Sequence, residues 1–252
     1  MNPQRRSIVP DLHRYSGMRL QGGQMVGWAV VWALGWMALG VPPVLHEGAQ
    51  PLDPSKDAPF GLDAVPRWVP EAKGPLRCPK VELVSWHGRA LKYGGSVRVY
   101  KGFAEQLALF EEVARDVAIE VYGRAPSRIL HMGTLNCRRI RTWPHLLSEH
   151  GLGNGIDIAG FVLPPLKRGQ EAPAALPAQL KKGFEVNVKQ HWQAAQPPQG
   201  DARAQTHARF LRRLTQALVE RPGIFRVLLG PAYPGHHDHF HFDCAPWRLV
   251  TL

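Results

Sequence analysis

From Met25 to Leu45 the chain reads "MVGWAVVWALGWMALGVPPVL", a run without a single charge. About 20 apolar residues are enough for a helix to span a bilayer core. Arg5, Arg6, Arg14 and Arg19 precede the run, and that basic flank places the short amino-terminal side in the cytoplasm. Pro42 and Pro43 end the predicted helix. A cleaved signal peptide shares the basic flank, but the run is long for one and no small-x-small cleavage site follows it. The expectation is a basic cytoplasmic segment over 1–24 and a transmembrane signal-anchor over 25–45, with the rest of the chain beyond the membrane. Cys78, Cys137 and Cys244 then lie where a disulfide is permitted. Three cysteines allow one bridge and one leftover, and the sequence leaves the pair open. None are spaced as CxxC, which argues against a thiolate zinc site.

Residues 46–74, rich in proline and acidic side chains, read as a linker, and a domain is expected over 75–252. From Phe103 to Tyr122, apolar Phe103, Leu107, Phe110, Ala114, Val117 and Val121 recur at steps of four and three, one helical stripe that Gly123 ends. A second helix is predicted over Ala208–Glu220, stopped by Pro222. "SRILHMGTL" from Ser127, "IDIAGFVL" (Ile156–Leu163), "FEVNVKQHW" from Phe184 and "FRVLLG" (Phe225–Gly230) read as strands, the second and third pairing. Without regular βαβ alternation, the expected class is α+β: a small antiparallel sheet with flanking helices, preceded by one N-terminal transmembrane helix. Pro164–Leu180 reads as an inserted surface loop. The net charge of +11 invites a nucleic-acid partner, but the basic residues are scattered and carry no nucleic-acid-binding signature. A polyanionic envelope or anionic lipid accounts for the charge equally well, so no nucleic acid is expected.

Two segments carry chemistry. "GHHDHFHFD", Gly235 to Asp243, holds four of the twelve histidines. On a strand, His237, His239, His241 and Asp243 share one face. "LSEHGLGNGIDIAGF", Leu147 to Phe161, sets His150 and Asp157 around three glycines, which let the chain turn so that both side chains converge. A hydrolytic zinc site takes three protein ligands and keeps one open position. Alternate residues on one strand stand nearly 7 Å apart, so one strand cannot wrap an ion alone. A His and an Asp from one segment with a His from the other solves this. A spare strand histidine two residues before the ligand is then placed to take a proton from water.

"SEHGLGNGIDI" has the S-x-H-x-x-G-x-x-x-D form and "DHFH" the H-x-H close. These resemble the motifs of the zinc peptidase superfamily of D-alanyl-D-alanine carboxypeptidases, lysostaphin-type endopeptidases and the hedgehog signalling domain. More closely, the run from Cys137-Arg138 through "SEH…IDIAGF" to "YPGHHDHFHFD" is similar to the bacterial extensin-like C-terminal domain family, over roughly Cys78 to Asp243. The resemblance implies Zn2+ bound by His150, Asp157 and His241. It makes His239 the general base and sets Arg138 facing the substrate, to stabilise an oxyanion or hold a carboxylate. Ser148 is either an orienting or a turn residue. His236 and His237 have lesser supporting roles, and His131 and His145 are ordinary polar residues near the site. The chain departs from the family in having Gly151 and Gly155 where alanine is common, a longer 164–180 loop, and a changed cysteine pattern. The expectation is an envelope zinc metallopeptidase cutting amide bonds in peptidoglycan stem peptides or cross-links. It would sit single-pass in the bacterial inner membrane, with its domain in the periplasm. The alternative is a non-catalytic, zinc-stabilised wall-binding module.

Overall fold

The computed structural model describes residues 48–52 and 60–252. Strands β1 (Leu83–Trp86), β2 (Lys92–Tyr93) and β3 (Val97–Tyr100) lead into helix α1 (Lys101–Tyr122). Strands β4 (Arg128–Gly133), β5 (Arg139–Ile140) and β6 (Trp143–Leu147) follow, then a 3-10 turn over Glu149–Leu152 and β7 (Gly155–Leu163). Next come a 3-10 turn (Ala178–Lys181), β8 (Phe184–Asn187), α2 (Val188–His191) and α3 (Ala202–Val219). The last elements are β9 (Val227–Leu229), β10 (Phe240–Asp243) and β11 (Leu249–Thr251).

Helix α1 forms because its apolar positions make one stripe; Phe103, Leu107, Phe110, Ala114, Val117 and Val121 are all buried. It stops at Gly123, whose left-handed backbone returns its N–H to Ile119 O. Asp201 caps α3 by accepting from the Ala204 N–H. Both helices lie on one face of a seven-stranded sheet ordered β11-β9-β10-β7-β4-β2, with β8 added to β7. Phe110 is the centre of that layer, meeting Phe161, Phe225 and Phe242 at ring distances of 5.8–6.4 Å. Truncating such a ring to alanine costs about 3–5 kcal/mol.

Period-two alternation splits β7 and β10 between two tasks. Ile156, Ile158, Phe240 and Phe242 point into the core. Asp157, His241 and Asp243 therefore point to the other face. The strands are antiparallel with His241 directly opposite Asp157, and opposite residues share a face. The bulged β4–β7 register sets His131 opposite core-facing Ile158. His131 packs 6.0 Å from buried Tyr93, on the far side of the sheet from Asp157, which corrects the expectation that it lies near the site.

The expected fold class needs correction on two counts. The sheet is mixed: β2–β4 and β9–β11 pair in parallel, because β2 and β11 enter at opposite edges after chain crossovers. Among the described residues, no helix is long and apolar enough to cross a membrane. Helix α1 spends half its surface on solvent, with Glu105, Glu112, Arg115 and Asp116 outside its buried stripe. The segments 1–24 and 25–45 lie outside the described residues.

Part of the stretch read as linker packs on the domain. Leu62 and Arg67 are buried, and Arg226 grips Asp63 with two bonds of 2.6 and 3.0 Å. The loop beginning at Pro164 is pinned at the end of α1, where Arg124 donates to the carbonyls of Pro164, Leu180 and Lys182. Cys78 and Cys137 form the disulfide, and Cys244 is free and buried.

Candidate metal centre

The ligand loop begins at Ser148, which is buried and donates its N–H to Arg138 O at 3.0 Å. One 3-10 turn carries His150 inward. Gly153 then takes φ +62, a left-handed conformation costly for other residues, and sends the chain into β7. Gly151 is required by close approach: a Cβ there would stand 2.7 Å from Cys78 Sγ. The glycine at 151 thus seats the ligand turn on the disulfide.

Three donor atoms converge. His150 Nε2 lies 3.2 Å from Asp157 Oδ1 and 3.1 Å from His241 Nδ1, and His241 Nδ1 lies 2.9 Å from Asp157 Oδ1. A tetrahedral ion with bonds of about 2.0–2.2 Å separates its ligands by about 3.3–3.5 Å. The triangle needs to open by only a few tenths of an ångström. Two imidazoles and a carboxylate suit a first-row divalent ion. Each histidine's remaining nitrogen meets an acceptor: His150 Nδ1 is 3.2 Å from Thr134 O, and His241 Nε2 is 2.6 Å from Asp243 Oδ2. Such outer bonds fix which ring nitrogen faces a metal. Asp243 is in turn held by the Ala245 N–H. Sequence reasoning gave Asp243 no role, although its place on the same alternating face signals one.

Burial alone would raise the Asp157 pKa, but hydrogen bonds from His150 and His241 outweigh it and hold the carboxyl far below its usual range. Burial also lowers that of His241, yet its bonds to Asp157 and Asp243 win and lift it to about 10.

The loop ahead of β10 is not strand. The run from Gly235 turns through His237 and Asp238, and β10 begins only at Phe240. His239 nonetheless reaches the site, with Nε2 3.6 Å from Asp157 Oδ1. Its Nδ1 lies 2.8 Å from Asp238 Oδ1, an arrangement that keeps the proton on Nδ1 and leaves Nε2 free as a base. His236 stacks obliquely against it, ring centres 4.8 Å apart; burial and then the neighbouring His241 and His239 lower its pKa to about 4. His237 faces solvent. His145 lies on the outer hairpin, stacked on Trp68 at 5.0 Å.

Arg138, Asp157, His236, His239 and His241 line one cleft of about 300 Å³, within the range of small-ligand sites. His150 is buried against Asp157 and His241, one layer in from the cleft's lining. Behind it, Arg67 donates to both oxygens of Glu149 at 2.7 and 3.0 Å, and Asn154 donates to Glu149 at 2.6 Å. Arg67 also donates to the Leu62 and Val65 carbonyls. This network, absent from any local sequence signal, fixes the ligand turn to the segment before β1.

No curated protein and no solved structure matches the chain. The model of the extensin-like protein C-terminus family matches residues 64–172, a span that holds His150 and Asp157, so this part of the chain is extensin-like.

Proposed function

We propose that the chain is a zinc-dependent peptidase of the cell envelope, hydrolysing amide bonds in peptidoglycan stem peptides or their cross-links, within the superfamily its motifs resemble. The observation that carries this reading is the convergence of His150, Asp157 and His241 at the back of a cleft that His239 also enters. A zinc ion there supplies Lewis-acid polarisation of a carbonyl and acidification of water. His150 and His241 hold it through Nε2 and Nδ1, and Asp157 adds the anionic oxygen. His239 Nε2, oriented by Asp238, accepts a proton from the attacking water and returns it to the leaving amine. Arg138 offers a guanidinium to negative charge in the cleft. The Cys78–Cys137 disulfide supports an oxidising compartment outside the cytoplasm.

The test is hydrolysis of purified muropeptides by the zinc-loaded protein, by the protein treated with chelator, and after zinc is restored. Cleavage that disappears and returns is expected. A zinc-loaded protein that cleaves none would overturn the reading. A second reading, a zinc-stabilised binding module, draws on the burial of His150 and on the way the three side chains tie the ligand turn to β7 and β10. His239→Ala separates the two. The peptidase keeps its zinc and loses about 10²–10⁴ in rate, whereas wall binding by a module is unchanged.

A further inference from the structure

Past the metal residues, the same sheet face becomes apolar. Leu229 stands opposite His241 and Val227 opposite Asp243, while Leu249 stands opposite Val227. With Trp247 these side chains floor the inner end of the cleft, and with Ala245 they form a cluster separate from the main core. The mouth is different. Arg138 and Arg141 line it, both exposed. The carboxylates of the cleft are already engaged: Glu149 by Arg67 and Asn154, Asp157 by His150 and His241, Asp243 by His241 and Ala245. Among the described residues, neither guanidinium has a hydrogen-bond or ion-pair partner. Arg141 reaches across to Gly235. A Cβ on Gly235, where φ is +88, would lie 2.6 Å from Arg141 Nη2, so this glycine leaves the space the guanidinium occupies.

We infer that the cleft recognises its peptide in two parts. The floor of Val227, Leu229, Leu249 and Trp247 takes an aliphatic side chain beside the bond to be cut, and Arg141 takes a carboxylate of the same peptide. This deepens the peptidase reading and rests on it for the position of the cut. A polar side chain on that floor would be desolvated without a partner. A carboxylate suits a guanidinium fork that has no internal anion to compete with.

The probes are acetylated tripeptides Ala-Xaa-Ala, with Xaa glycine, alanine, norvaline or norleucine in L and D forms. Each carries either a free carboxyl terminus or a carboxamide, and is titrated calorimetrically into the zinc-loaded full chain. Affinity is expected to climb along the series, norleucine binding at least about tenfold tighter than glycine. Amidation is expected to weaken binding about tenfold. Arg141→Gln should erase the difference between carboxylate and amide. Leu229→Asn should flatten the side-chain series while leaving that difference intact. Equal affinities across the series overturn the inference, as does a carboxylate preference that survives Arg141→Gln. If no probe binds, the inference also fails, whether or not muropeptides are cut. Selective binding without cleavage of any muropeptide upholds the two-part recognition and removes the peptidase reading, and with it the position of the cut.

Discussion

Glu149 and His150 are neighbours in one 3-10 turn, yet they belong to polar clusters of opposite character. Around Glu149 every strong group has a partner: Arg67 matches the carboxylate with two parallel bonds and Asn154 adds a third. Around His150, three lone-pair donors face a common point at 2.9–3.2 Å from one another. One shared proton can satisfy a single edge of that triangle; a divalent ion satisfies all three. His150 is as buried as Glu149, and only Asp157 is partly exposed. What separates a structural knot from a binding centre is whether its donors and acceptors cancel internally.

The sharpest way to break this contrast is to remove a ligand. Asp157→Ala should reduce zinc retention at least about a thousandfold, read by metal analysis after dialysis. Near-stoichiometric zinc in that variant would refute the assignment. Next in size is Arg67→Ala, which strands the buried Glu149 charge. It should cost about 3–5 kcal/mol of stability, a Tm drop of roughly 6–20 °C, with zinc stoichiometry kept where the protein stays folded. Loss of zinc without loss of stability would mean that the clusters are not separate. Asp243→Asn should weaken zinc binding about 10–100-fold, because His241 loses the anion that orients it; competition with a chromophoric chelator measures this.

The smallest effect is a pH slope. In chelated protein the His241 proton is retained to about pH 10, whereas an ordinary histidine releases it near 6.5. That contribution to stability is therefore complete below about 6.5 and is lost as pH rises toward 10, by at most about 1.4 kcal/mol per unit. Asp157 has the opposite sign: its depressed carboxyl contributes above the ordinary carboxylate range and is lost on acidification. Because a zinc ion there would displace the His241 proton, affinity should rise with pH up to about 10, by up to about tenfold per unit. Melting curves with and without chelator would show the two slopes, and a flat chelated curve would remove the proton from His241.

Long periodic elements were legible in the sequence. The stripe of α1, its stop at Gly123, the core of α3 and the β7–β8 pairing follow from spacing alone. The short strands β1, β2, β3, β5, β6 and β11 were not read, because two to five residues are too short a stretch for alternation to stand out. The mixed sheet was missed for the same reason, since its parallel pairs are made by the edge strands β2 and β11. In the site, the resemblance carried by the two motifs led to His150, Asp157 and His241. The Arg67–Glu149 pair joins residues 82 apart and Arg226–Asp63 joins residues 163 apart, separations that no window of sequence can see. His131 was misplaced because nothing local announces the bulge that sets its face.

The cross-link from Cys78 to Cys137 is more than a tether between distant loops. Its sulfur abuts the one position in the ligand turn that has no side chain, and its second half-cystine immediately precedes Arg138. Thiol reductants would thus act on metal grip and substrate contact together. A newly made chain in reducing surroundings would hold both parts of its chemistry slack until oxidation drew them tight.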